Sequence, residues 1–200
     1  HGYDKIELLS RFSAQTWQAI DEKISLNPIL QSFQETVNRY QIDHALIRQF
    51  MHSMEMDLQQ LAYDSELYKE YILGSAEVVG LMCLQIFVNR DKEQYEHLKP
   101  FAMKLGSAFQ KVNFLRDLKD DYHVLGRTYF PDINMNVFDD NVKQKIEHEI
   151  ALEFKSALVG IKQLPPSSRF GVYLAYRYYL SLLNKIIRTP AKKIINSRIR

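Results

Sequence analysis

Along almost the whole of this 200-residue chain, apolar residues recur at intervals of three and four, and no segment of strand length alternates apolar and polar residues ahead of a hairpin turn. An all-α fold follows. The first helix is predicted over about 4–24, with Ile6, Leu9, Phe12, Thr16, Ala19 and Ile20 inward. Asn27-Pro28 supplies an N-cap and a first-turn proline for a second helix ending near Tyr40. Asp43 caps a third, whose apolar stripe is Leu46, Ile47, Phe50, Met54 and Leu58. A fourth runs from Ser65 to about Val88, and a fifth follows Asp91, pauses at Pro100 and continues to Tyr122. The run 125–136, with Gly126, Pro131 and several Asn and Asp residues, reads as a loop. From Asp139 a long amphipathic helix carries Val142, Ile146, Ile150, Phe154, Leu158 and Ile161. Pro165-Pro166 ends it, and Ser167 or Ser168 opens the last helix, about 169–188.

No internal repeat or linker divides the sequence, so a single domain over 1–200 is expected. With 46% hydrophobic residues, a chain of this length buries about 70% of the surface its unfolded state exposes, enough for a core and an internal pocket. A net charge of +2 is too small for general binding to nucleic acid, which scales with the phosphates neutralised, so no nucleic-acid partner is expected. The lone Cys83 cannot form an internal disulfide, and a reducing cytoplasm is its natural compartment. The most apolar window, 72–88, holds Glu77 near its centre, which favours a buried core helix over a membrane span. Gly74 and Gly80 within it each weaken a helix by about 1 kcal/mol relative to alanine, so they serve close helix packing or clear room for a ligand.

The run from Gly106 to Tyr122 carries the chemistry. On a helix, Gln110, Asn113, Asp117 and Asp121 fall three and four apart, on one stripe of oxygen-bearing side chains. Carboxylates at i and i+4 repel unless a cation lies between them. Mg²⁺ takes one or two protein carboxylates and fills its shell with water and substrate phosphate, which suits so sparse a set. Arg116 beside Asp117, and Arg127 after the helix, offer guanidinium groups for bidentate phosphate contacts. A solvated face whose acids pair with Lys111, Lys119 and Arg116 fits the same spacing. The residues by themselves leave both readings open.

Taken together, Gly106, Gln110, Asn113, Arg116-Asp117, Asp121, Gly126-Arg127, Tyr129 and Pro131 resemble the second aspartate-rich signature of the squalene and phytoene synthase family. Tyr71 through Met82, a tyrosine followed by a helix of small residues, is similar to that family's other signature, and Met54-Glu55-Met56-Asp57-Leu58 resembles a further Met and Asp segment. The likeness runs through essentially the whole chain and is strongest to the bacterial phytoene synthases. It implies an isoprenoid synthase helical bundle that joins two prenyl diphosphates head to head through a cyclopropyl intermediate. Geranylgeranyl diphosphate going to phytoene, in carotenoid biosynthesis, is the first reading; farnesyl diphosphate going to squalene or dehydrosqualene is the second. The resemblance further implies that Asn113, Asp117 and Asp121 hold Mg²⁺ and that Gln110, Arg116 and Arg127 meet diphosphate. By the same resemblance, Tyr71 sits near the reacting carbons, and Ser75, Ala76, Val79 and Gly80 wall the prenyl channel. Tyr129 and Tyr179 contact substrate, with Tyr176 and Tyr178 as rivals of Tyr179.

Two departures stand out. The family's first Asp-x-x-x-Asp motif, on a helix that faces the second, has no counterpart, because Asp4, Asp21 and Glu22 do not make the pattern. The chain is therefore expected to be an incomplete bundle, short at both ends and inactive alone; a helical interaction protein that kept the fold and lost catalysis fits the same gap. Glu77 stands where small residues are usual and needs a partner or a raised pKa, or else points away from the channel. The six histidines show no metal-ligand spacing. The basic residues Lys185, Arg188, Lys192, Lys193, Arg198 and Arg200 are either solvated cations near a helix end or a peripheral contact with anionic lipid at the inner membrane.

Overall fold

Helices begin where short oxygen-bearing side chains can take up the first unpaired backbone donors. Asp4 accepts from the N–H groups of Ile6 and Glu7, Asn27 from Ile29 and Leu30, and Asp64 from Glu66 and Leu67. Asp43, Asp91 and Asp139 act likewise through Ala45, Gln94 and Val142. The computed structural model describes residues 2–59, 63–123, 129–131 and 138–199. Among them the order is α1 (Lys5–Glu22), α2 (Pro28–Tyr40), α3 (His44–Gln59), α4 (Ser65–Ile72), a π-helical turn (Leu73–Glu77), α5 (Val78–Phe87), α6 (Lys92–His123), α7 (Asp140–Ile161), α8 (Pro166–Ile187) and α9 (Ala191–Asn196). Every regular element in the described residues is a helix, as the periodicity requires.

The long helix α6 is the spine. It packs against α5, the π-turn, α7, α8 and α9, and its Ala108, Val112 and Leu115 are fully buried. Each such Val or Leu contributes roughly 1.5–3 kcal/mol by leaving water. A second cluster, Ile20, Val37, Ile42 and Ile47, joins α1, α2 and α3 and reaches α5 through Met82 and Ile86.

Four local expectations are corrected. Helix α6 does not pause at Pro100: the missing N–H deprives only the Glu96 carbonyl, and both residues lie on the exposed side, where water can serve. Helix α8 begins at Pro166 rather than beyond Ser167 or Ser168, because proline is tolerated where a helix has no bond to lose. Ile6 and Phe12, placed inward by spacing, are 57% and 41% exposed, since only the second half of α1 reaches its neighbours. The short helix α9 follows Pro190 and buries Ala191 and Ile194, although no helix was read there.

The segment Ser65–Phe87 is long and apolar enough to cross a bilayer by length and composition. In the bundle it is a packed inner helix. Gly74 touches α3 so closely that a Cβ there would lie 2.6 Å from the Gln49 carbonyl oxygen. A Cβ on Gly106 of α6 would lie 2.6 Å from the Ala76 carbonyl oxygen, so these two glycines set how near α6 and α3 come to the π-turn. Val78 closes that turn by donating its N–H to Leu73, five residues back. One extra residue is thereby accommodated in the helix, within the tyrosine and small-residue signature.

Candidate active site

Between α5, α6, α7 and α8 lies a cavity of about 780 Å³. The small residues of the 71–82 signature make one wall: Ser75, Ala76, Val79 and Gly80 line it, with Cys83 a turn further on. Leu105, Gly106, Phe109 and Gln110 make the α6 wall, Ala157, Gly160 and Ile161 the α7 wall, and Gly171, Val172 and Ala175 the α8 wall. The four predicted channel residues are thus together, and Gly80, which packs closely on the Ala102 carbonyl of α6, also lines this space. Polar side chains are few. Ser75 Oγ is buried without a hydrogen-bond partner.

Gln110 is the link from this apolar space to the oxygen edge of α6. Its Oε1 accepts from Asn113 Nδ2 at 3.5 Å, and Asn113 Oδ1 is buried with no hydrogen-bond partner. One turn on, Arg116 Nε donates to both Asp117 oxygens, at 3.0 and 3.1 Å, and its Nη2 pairs with Oδ2. Arg198, distant in sequence, donates through Nε to Asp117 Oδ1 at 2.6 Å. Burial pushes the Asp117 carboxyl up, but Arg116 and then Arg198 outweigh it and hold the group below the ordinary carboxylate range. Asp121 lies one turn further along the same helix. Arg127 lies outside the described residues.

This edge fits a hard divalent cation by type. Its donors are all oxygen, and the orphaned Asn113 oxygen is the kind of buried acceptor that calls for a partner. Among the described residues no three His, Cys, Asp or Glu side chains converge as a metal cluster. The alternative of a paired surface edge is half present: Asp117 does pair with Arg116, but Lys111 turns to the opposite side of the helix.

The predicted tyrosines divide into two groups. Tyr71, 5% exposed, donates to Asp57 Oδ1 at 3.2 Å, and Tyr129 donates to the same oxygen at 3.1 Å. Their rings stack on each other and on Phe114 of α6, the Phe114–Tyr129 centroids 4.2 Å apart. Burial, then Tyr129 and Asp57, push the Tyr71 hydroxyl far above its ordinary value, so it stays a donor. Neither ring lines the cavity. Tyr179 does stand close to it, stacked at 4.0 Å on the wall residue Phe109 and near enough to Arg116 to be felt electrostatically. Of its rivals, Tyr176 is buried against Phe154, and Tyr178 is mostly exposed.

On the far side of α6, Glu153 Oε1 accepts from Lys104 at 3.3 Å, Ser107 at 3.1 Å and Lys111 at 3.0 Å, and Lys111 also pairs with Glu149. Glu77 belongs to this network and not to the cavity wall: burial raises its pKa, Lys104 and Lys111 oppose the rise, and Glu153 adds to it. Two site residues escaped the sequence reading. Asp57 carries no signal beyond its Met and Asp segment, and Arg198, one of several basic residues near the last helices, carries none in its neighbourhood.

With this geometry in view, comparison with known proteins gives consistent relatives. Residues 3–151 match the sequence model of the squalene/phytoene synthase family. Phytoene synthase 1, chloroplastic, of Arabidopsis thaliana is 28% identical over 173 residues, covering 76% of this chain and 40% of that protein. The 15-cis-phytoene synthase of Pantoea ananas is 26% identical over 197 residues, covering 89% and 61%. The 4,4'-diapophytoene synthase of Staphylococcus haemolyticus is 26% identical over 123 residues, covering 60% and 41%. The chain thus spans from 40% to 61% of the length of these relatives. Squalene synthase HpnC from Alicyclobacillus acidocaldarius superposes with a TM-score of 0.79 at 18% identity over 94% of this chain and 75% of that one, which shows the isoprenoid synthase fold. Since the matched residues are well over half of the chain and include the 71–82 signature and the Asn113–Asp121 edge, this chain belongs to the squalene/phytoene synthase family.

Proposed function

We propose that this chain carries the metal edge and prenyl channel of a Mg²⁺-dependent prenyltransferase that joins two geranylgeranyl diphosphates head to head into phytoene. The observation that carries the reading is the position of Gln110. It lines the apolar cavity and also holds Asn113, so a prenyl chain lying in the cavity would present its diphosphate to Asn113, Asp117 and Asp121. A volume of about 780 Å³ suits a substrate of this size.

Mg²⁺, held by Asn113, Asp117 and Asp121, would supply neutralisation of the charge that builds on the departing diphosphate. The protein's own part is to bind, orient and exclude water. Arg116 and Arg127 provide guanidinium contacts for phosphate, and Gln110 an amide donor. Ser75, Ala76, Val79 and Gly80 leave room for the chain, and Phe109, backed by Tyr179, gives an aromatic wall whose electron-rich face suits a carbocation. Tyr71 and Tyr129, fixed through Asp57, hold the π-turn side of the site in place. A water-excluded channel of this kind keeps a cationic intermediate from capture. The reading places the protein in the cytoplasm with its apolar product passing to the inner membrane.

Incubation of the whole protein with geranylgeranyl or farnesyl diphosphate and Mg²⁺, followed by product analysis, tests this. A C40 hydrocarbon from geranylgeranyl diphosphate is the expected result. A C30 product transfers the assignment to squalene or dehydrosqualene formation. No product from either removes the enzyme reading and leaves a helical interaction protein of the same fold.

A further inference from the structure

Asp117 is already crowded by two arginines. A carboxylate offers about four lone-pair sites, and here Arg116 Nε reaches both oxygens, Arg116 Nη2 takes Oδ2, and Arg198 Nε takes Oδ1. Three N–H groups make these four contacts, Arg116 Nε sharing its one hydrogen between both oxygens, so a cation has to compete for the carboxylate and is repelled by two guanidinium charges. If Asp117 is to hold a metal, one arginine has to leave.

The two arginines are held unequally. Arg116 is the chain neighbour of Asp117, makes the two-oxygen contact, and has a side chain only 26% exposed. Arg198 makes one contact and its side chain is 53% exposed. It arrives on a short arm: α9 is pinned by Ala191, whose N–H donates to Asp140 Oδ1 at 2.7 Å, and beyond it Ile199 sits in the main core and donates its N–H to the Arg116 carbonyl at 3.3 Å. The arm therefore crosses α6 at the residue that carries the metal edge.

We propose that Arg198 is the resident counter-ion of Asp117, displaced when a divalent cation binds, so that segment 197–199 is a cation-sensitive latch on the active site. This rests on Asp117 being a metal ligand, and the experiment separates the two claims. Mn²⁺ binding to the chain, without substrate, is measured by electron paramagnetic resonance for the wild type and for Arg198→Gln, Arg198→Lys and Asp117→Asn. Arg198→Gln should bind Mn²⁺ about fivefold more tightly, the size of one partly exposed ion pair. Arg198→Lys keeps the competing charge and should stay within about twofold of the wild type. Asp117→Asn should bind much more weakly. Hydrogen exchange of the peptide that contains 197–199 should speed up when Mn²⁺ saturates the wild type and should not respond in Asp117→Asn. Unchanged or weaker binding by Arg198→Gln, with binding lost in Asp117→Asn, overturns the latch and leaves the metal edge standing. Equal binding by Asp117→Asn and wild type, or no binding by any of the proteins, overturns the metal edge and the latch together.

Discussion

Helix α6 sends polar side chains to two sides, and the two sides settle their charges differently. Toward α7, Lys104, Ser107 and Lys111 converge on one oxygen of Glu153, with Glu149 as a second acid. Toward the cavity edge, Gln110 holds Asn113 by its amide nitrogen and leaves Asn113 Oδ1 buried without a partner, while two arginines crowd Asp117. The α7 side joins two helices through opposite charges that meet on Glu153 Oε1, although Glu153 Oε2 is buried without a partner. The cavity side keeps an acceptor idle and a carboxylate over-served, which is an arrangement that makes sense when another charged species comes and goes. The difference teaches that neither burial nor one unpartnered acceptor marks function, since Glu153 Oε2 is such an acceptor too; the cavity edge differs in setting an idle acceptor beside a carboxylate met by two cations.

The largest effect that would test this contrast lies on the α7 side. Replacing Lys111 by Met leaves Glu153 only the half-exposed Lys104 and Ser107 as partners and should cost about 3 kcal/mol in urea unfolding, with most of the loss recovered when Glu153→Leu is added. A small loss for the single variant would mean that the network is loosely solvated and that the contrast fails. Next, Gly106→Ala puts a methyl group 2.6 Å from the Ala76 carbonyl oxygen, where only backbone can yield. It should cost about 1–3 kcal/mol and weaken binding of a prenyl diphosphate analogue, measured by calorimetry.

Glu77 gives a pH signature for the α7 side. Burial raises its folded pKa above the ordinary value of 4.5, so the folded state binds the proton more tightly than the unfolded state does. Stability from this group is therefore fully present below 4.5 and falls as pH rises from there through the raised value. Glu77→Gln should flatten that part of the stability profile and be more stable than the wild type at neutral pH; an unchanged profile would place the titration elsewhere. The smallest expected change in stability belongs to the cavity edge. Asn113→Ala removes an acceptor that had no partner, so unfolding should shift by no more than about 0.5 kcal/mol, whereas Mn²⁺ affinity should fall. A loss of several kcal/mol would show that Asn113 is structural.

The sequence made the helices and their starts legible, because capping and periodicity are local: Asn27-Pro28 opens α2 and Asp139 opens α7 as the spacing requires. It also grouped Ser75, Ala76, Val79 and Gly80, since a small-residue run on one helix is local too. What it could not show is where distant elements meet. One of the two readings left open by the spacing puts Lys111 in a surface pairing, yet it is 5% exposed, because the spacing along α6 carries no record of α7. Asp57 gathers hydroxyls from Tyr71 and Tyr129, contacts that join α3 to α4 and to the segment after α6. Arg198 lies 81 residues from the carboxylate it binds, and only the return of the chain past α9 brings it there.

The π-turn at Leu73–Glu77 acts as a phase shifter in a single long helix. An α-helix advances about 100° per residue, so one additional residue within a turn rotates everything after it by about that angle relative to what came before. Tyr71, ahead of the shift, faces the Asp57 nest, while Val79, Gly80 and Cys83, after it, face the cavity. One helix thereby serves two neighbourhoods that a uniform helix would not address at once. Deleting a single residue from 73–77 would turn Val79, Gly80 and Cys83 away from the cavity while leaving those side chains themselves unchanged.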